Sequence, residues 1–188
     1  MNSGSTSSHH RLHKRAAFLA AGGEMLSGCR DREQPLSLAV IEIGDLPEVR
    51  EIYGQDIARE VIARLVGMLD DLAGSRGLAG RTGVTQFCVL IPLEREKAAG
   101  EVERVFGKPA RIEFDSGECE VVLVPDVVVD CADVGIASLE TLCDEMAREL
   151  ALVRRDELRR HHYLQWERER HSQPASMHSN PASVAPRD

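Results

Sequence analysis

The sequence predicts a mixed α/β domain, in which buried strands and a hairpin pack with amphipathic helices. Three stretches carry this expectation. Residues 36–43 (LSLAVIEI) are β-branched and largely apolar, as a buried strand must be. Residues 80–92 (GRTGVTQFCVLIP) contain a run in which Phe87, Val89 and Ile91 alternate with Cys88 and Leu90. Both faces of that run are apolar, which suits a central strand. Between the two strands, residues 55–73 place Ile57, Val61, Ile62, Leu65, Met68, Leu69 and Leu72 at helical spacing.

The bulk numbers set the class. A chain of 188 residues, 43% hydrophobic and 29% charged, suits one ordinary soluble domain with a real core. The net charge of -8 argues against nucleic-acid binding through the phosphate backbone. Cys29, Cys88, Cys119, Cys131 and Cys143 are scattered, with no Cys-x-x-Cys pair. They read as reduced cytoplasmic thiols rather than a disulfide frame or a zinc site. No run has the length of a membrane span, so no membrane insertion is expected. Leu26-Ser27-Gly28-Cys29 resembles a bacterial lipoprotein cleavage box. Glu24 interrupts the apolar stretch before it, and a charge there spoils a signal-peptide core. Residues 12–26 therefore read as the first helix.

In chain order, residues 1–10 are rich in Ser, Gly, Asn and His and are expected to be disordered. His9 and His10 in such a tail define no metal site. After the first helix and strand, residues 44–54 read as a short helix or turn leading into the long helix. Gly74-Ser75-Arg76-Gly77 stops that helix, with Arg76 a solvated turn residue. Leu78-Ala79-Gly80-Arg81 is the first strand of a hairpin whose tip turns at Gly83, where glycine can take positive φ. A helix follows over 94–106. Strands over 111–114 and 119–124 flank the turn Asp115-Ser116-Gly117-Glu118. Val127-Val128-Val129 reads as a continuation of the second strand past a bulge or edge at Pro125. Residues 138–170 are helical, with an apolar stripe of Leu139, Leu142, Met146, Leu150 and Val153. From 171 onward the composition is that of a disordered tail. No internal repeat is present.

The pattern Arg81-x-Gly83-x-x-x-Phe87-x-Val89-Leu90-Ile91-Pro92 resembles the signature hairpin of GGDEF-domain diguanylate cyclases. In that family the tip reads Gly-Gly-Asp/Glu-Glu-Phe; here it is Gly83-Val84-Thr85-Gln86-Phe87. Arg15, Phe18 and Leu19 match the start of the family's first helix, and Tyr53-Gly54 matches its Tyr-Gly pair. The resemblance implies a fold of the α/β (α+β) class over residues 11–155, a ferredoxin-like nucleotide-cyclase palm with a central, mostly antiparallel sheet flanked by helices, with 156–170 an added helical extension and 171–188 a tail.

The same resemblance says where chemistry should be. A diguanylate cyclase aligns two GTP molecules and needs two divalent metals, held by carboxylates at the end of the first strand and at the hairpin tip. Glu42 stands at the first aspartate, Gly44 at the second, and Thr85 and Gln86 at the tip acids. Arg50 and Arg59 occupy the guanine-reading positions, and an arginine cannot accept a hydrogen bond. Gly74 and Gly77 stand where the inhibitory Arg-x-x-Asp motif has its arginine and aspartate. The expectation is a degenerate, catalytically inactive domain with no cofactor or metal. It would act by protein-protein interaction in bacterial cyclic di-GMP signalling or its outputs.

The alternative is a nucleotide receptor (GTP or cyclic di-GMP) with a rearranged site, in which Arg50, Arg59 and Arg81 hold an anion near Gly83. A surviving cyclase ranks third. Against the anion site, Arg50 and Arg59 read as exposed helix residues paired with Glu51, Asp56 or Glu60. Tyr53 reads as core packing. Leu158, Arg159, Tyr163, Leu164 and Trp166 are partner-binding candidates, since arginine with tryptophan and apolar anchors is an interface composition. The partner would be another protein or a second copy. With no sensor or output domain beside it, the domain is expected to act in trans.

Overall fold

The computed structural model describes residues 12–115, 117, 119–132 and 138–172, with 156–172 as backbone only. Its elements are β1 (His13–Lys14), α1 (Arg15–Asp31), β2 (Ser37–Glu42), α2 (Leu46–Ala73), β3 (Leu78–Arg81) and β4 (Gln86–Ile91). They continue as α3 (Arg95–Phe106), β5 (Ile112–Asp115), β6 (Glu120–Leu123), β7 (Asp126–Cys131) and α4 (Leu139–Ser172). Five strands form one sheet in the order β1-β3-β4-β2-β7, antiparallel except for the β1–β3 pair. β5 and β6 form a separate two-stranded sheet. This is a mixed α/β fold with a central sheet flanked by helices.

The period-2 alternation of the central strands divides the core into two layers. Ala39 and Ile41 of β2 and Phe87, Val89 and Ile91 of β4 pack with Val61, Leu65 and Leu69 of α2 and Val102 and Phe106 of α3. Leu38 and Val40, with Cys88 and Leu90, pack with Phe18 and Leu26 of α1 and Leu139, Leu142 and Met146 of α4. Every one of these side chains is buried, so both sheet faces are covered. At Gly80, a Cβ would come within 2.6 Å of the Phe18 ring, so glycine there lets α1 lie against β3. Ser37, fully buried on β2, donates its hydroxyl to the Leu93 carbonyl at 2.8 Å, which removes the cost of burying it. Arg15 at the start of α1 reaches Glu140 at 3.2 Å and Asp144 at 3.1 Å on α4. Hydrogen bonds to Asp144 and then Glu140 raise the affinity of its guanidinium for its proton. All three side chains are well exposed, so the gain is screened and small.

The structure changes four details of the predicted layout and refines a fifth. Residues 12–14 do not open the first helix; His13 and Lys14 are extended and pair with Gly80 and Arg81 as an edge strand. The segment over 44–54, expected as a short helix or turn, is helical from Leu46 and opens α2, which breaks at Gly54, where φ is 86°. That left-handed conformation is open to glycine and strained for other residues. Tyr53, beside the break, is 38% exposed and lies outside the core. Val127–Val129 does not prolong the second strand of the small hairpin. Pro125 has no N–H to extend the β5–β6 ladder, and the chain returns to the main sheet as β7, antiparallel to β2. Finally, the buried stripe of α4 stops at Leu150, and Val153 is 51% exposed. The chain divides into two units, Met1–Ala151 and Leu152–Asp188. Cys29 of the lipoprotein-like box is buried within α1. No described helix is long and apolar enough to cross a membrane.

Phe87 is 1% exposed at the centre of β4. Replacing it with alanine should destabilise the fold by about 3–5 kcal/mol, through lost burial and the cavity left behind. Chemical denaturation of the two proteins would measure this, and an unchanged midpoint would contradict the packing.

Candidate functional site

The site is built where β2 ends beside the start of β4. The register places Glu42 opposite Gln86, and the hairpin tip closes just beyond. The tip is tight because the backbone N–H groups of Thr82 and Gly83 both donate to the Gln86 carbonyl, at 3.0 and 3.1 Å. Gly83 does not use the left-handed conformation that the sequence suggested. It has a steric reason instead, since a Cβ there would approach the Gln86 Cβ to 3.0 Å. The N–H of Ile43, one residue past β2, donates to the Thr85 carbonyl at 2.9 Å, so the tip is pinned to the strand beside it.

The side chains of the tip are satisfied within the protein. The Thr85 hydroxyl donates to the Glu42 carboxylate. The Thr82 hydroxyl donates to Gln86 Oε1 at 2.9 Å, and Thr82 Oγ1 lies 3.3 Å from Cys88 Sγ. Cys88 and Cys143 of α4 are both buried free thiols. The neighbouring Cys88 thiol, and then burial, push the Cys143 thiol above its ordinary range. Arg81 turns back on its own hairpin. Its Nε donates to the Gly83 carbonyl at 3.1 Å and its Nη2 to the Val84 carbonyl, with the guanidinium 5.5 Å from the centre of the Phe87 ring.

A groove of about 610 Å³ lies between the start of α2 and the tip. It is lined by Leu46, Pro47, Ala58 and Ile62, by Arg50, Glu51 and Arg81, and by Val84. Arg50 and Arg81 therefore meet there. Arg59 does not join them; it is exposed and paired with Asp56 at 3.2 Å. Arg50 is exposed and pairs with neither Glu51 nor any other described side chain.

Gly74 and Gly77, expected at the inhibitory-motif positions, have backbone roles. Gly74 ends α2 at φ 60°, its N–H donating to the Asp70 carbonyl at 2.9 Å. At Gly77 a Cβ would come within 2.3 Å of the Ala73 carbonyl oxygen and 2.5 Å of that of Leu90, so no side chain fits. Gly44 follows β2 in the loop to α2 and offers no side chain. Leu158, Arg159, Tyr163, Leu164 and Trp166 fall on α4 residues whose side chains lie outside the described set.

Sequence reading did not single out Thr82 or Val84 as site residues, and it named Glu51 only as a partner for Arg50. The signal for Val84 was available, an apolar residue at a turn tip, and it is 75% exposed. The β2–β7 register puts Asp126 opposite Glu42. Among the described residues, no group of three or more His, Cys, Asp or Glu is placed to hold a metal ion. The donor set does not fit a pair of magnesium ions against a triphosphate. Magnesium needs charged, hard oxygen ligands. The tip supplies a neutral hydroxyl and a neutral amide, and the Glu42 carboxylate is engaged by Thr85.

No protein-family model matches the chain. Solved structures do match its fold. The active GGEEF domain of a diguanylate cyclase from Vibrio cholerae aligns with a TM-score of 0.66 and 18% identity, over 78% of this chain and 93% of that one. The GGDEF domain of DgcB from Caulobacter crescentus, solved in complex with c-di-GMP, aligns with a TM-score of 0.66 and 15% identity, over 78% and 85%. The diguanylate cyclase SiaD from Pseudomonas aeruginosa, solved with its activator SiaC, aligns with a TM-score of 0.66 and 20% identity, over 77% of this chain and 56% of that one. The likeness is one of fold, the GGDEF cyclase palm.

The Thr85–Glu42 hydrogen bond gives a direct test of how the tip is held. Replacing Thr85 with valine keeps the shape but removes the donor to a part-buried carboxylate. It should cost about 1–2 kcal/mol, read as a shift in the denaturation midpoint. No shift would mean that the hydroxyl does not hold the tip.

Proposed function

We propose that this chain is a catalytically silent GGDEF-like regulatory domain that works by binding another protein, in bacterial cyclic di-GMP signalling or one of its outputs. The observation that carries this reading is the engagement of the tip with itself. Glu42 accepts from Thr85 and Gln86 accepts from Thr82 at the positions where a cyclase of this fold would hold metal and triphosphate. Catalysis of 3′-hydroxyl attack on an α-phosphate relies on metal charge and on aligned substrates. A hydroxyl and an amide supply neither. Arg50 and Arg59 bring hydrogen-bond donors to positions where guanine N–H groups need acceptors.

A protein partner suits a domain of this fold, since SiaD is seen with an activator protein. The helical extension over 156–170 is the second support. Its composition, with Leu158, Arg159, Tyr163, Leu164 and Trp166, is that of a docking surface for a partner or a second copy. The exposed Leu152 and Val153 precede it on the same helix. One observation favours a different reading, a nucleotide receptor. The groove of about 610 Å³ with Arg50 at its rim has the volume of a small-molecule site.

Purified protein incubated with GTP and magnesium should form no cyclic di-GMP. Product that disappears in Glu42→Ala would overturn the silent-domain reading. Adding GTP or cyclic di-GMP should leave the melting temperature unchanged, because only a ligand that binds the native state raises it; a clear rise would favour the receptor.

Truncation addresses the helix. A version ending at Arg155 should fold as well as the full chain but lose its partner or its self-association in sedimentation. Retention of both would remove the helix from the proposal.

A further inference from the structure

We infer that the groove between α2 and the hairpin tip is a docking site for a partner segment that pairs an aliphatic or aromatic side chain with a carboxylate. This deepens the protein-binding reading and rests on it.

The groove has two chemistries side by side. Leu46, Ala58 and Ile62 give it apolar walls, and Val84 stands at its mouth with 75% of its surface in water. Ile52, 69% exposed, follows directly on Glu51 of the lining. A side chain as apolar as Val84, held out by a tip with no slack, is a contact waiting for cover rather than a floppy loop residue. The tip has no slack because Arg81 holds the Gly83 and Val84 carbonyls and Glu42 holds Thr85. Holding a surface rigid before binding lowers the ordering cost of the complex.

Charge complementarity sets the occupant. Arg50 lines the groove, and no described side chain pairs with it. Arg81 adds a second positive charge, although its N–H groups on Nε and Nη2 are already used. Glu51 lies at the same rim. A polyanion such as a triphosphate would meet that carboxylate as well as the arginines. A single carboxylate next to an apolar anchor can reach Arg50, in the planar two-bond geometry that guanidinium favours. An arginine beside desolvated apolar contacts is the usual composition of an interface hot spot.

The test uses the full-length chain and short fluorescent peptides. In one set a single Leu, Ile or Phe is flanked by Asp and Glu; in the matched set Lys and Arg replace the acids. Fluorescence anisotropy should show binding of the acidic set and little of the basic set. Arg50→Glu and Val84→Asp, both at exposed positions, should each weaken binding about tenfold or more, with melting curves unchanged. Arg50→Lys should retain part of the affinity.

Equal binding of the two sets, or binding indifferent to Arg50→Glu, would overturn the assignment. So would a rise in melting temperature with GTP or cyclic di-GMP that is lost in Arg50→Glu, since the groove would then be a small-molecule site. If no peptide binds while the protein makes no cyclic di-GMP and loses a partner on truncation at Arg155, only the groove assignment fails. If cyclic di-GMP is made, the functional reading itself fails.

Discussion

The β2–β4 ladder is the constraint from which the rest of the structure follows. Two strands apolar on both faces cannot stand in water on either side. Pairing Ser37–Glu42 against Ile91–Gln86 commits one face to α2 and α3 and the other to α1 and α4. The side-chain period of a strand is two, so a slip of one residue would exchange the two faces. Leu38 and Val40 would then seek the layer that Ala39 and Ile41 fill. The register that serves the core also puts Glu42 beside Gln86 at the end of the ladder. The position of the site is thus a by-product of packing.

The hairpin tip at the end of that ladder is held by the protein's own groups. Arg81, Thr82 and Thr85 hold the hairpin tip by hydrogen bonds inside the protein. The tip therefore keeps its shape with no ligand to organise it. The glycines aligned with the inhibitory motif point the same way. A side chain at Gly77 would collide with two backbone carbonyls, and Gly74 sits in a left-handed cap. Restoring an arginine and an aspartate there would require the end of α2 to move as well. Fold alone does not fix function; here the local geometry argues further than the family likeness does.

The central elements were legible because their signals are dense. Both faces of 87–91 are apolar, and 55–73 repeats at helical spacing, so few alternatives exist. What was hidden depended on long-range pairing. Nothing local in Leu12-His13-Lys14 shows an edge strand, because its partner lies at Gly80 and Arg81. The triple valine of 127–129 is strand-like in any context, and only the register shows that it leaves β6 to join β2. Tyr53 reads as core by residue type, but the break at Gly54 leaves it partly in water. At the site, the sequence shows which residue types stand at the tip. It does not show that Thr82 and Thr85 face neighbours able to accept their protons, nor that Arg50 and Arg81 border one groove while Arg59 stays with Asp56.

The bond from Thr82 to Gln86 has a further consequence for what the tip presents to its surroundings. Oε1 of Gln86 accepts from the Thr82 hydroxyl, and the amide nitrogen of the same side chain is a donor. A carboxylate at the same place could only accept. The side chain at this strand end is therefore neutral, and it lacks the charge by which an acidic tip attracts cations.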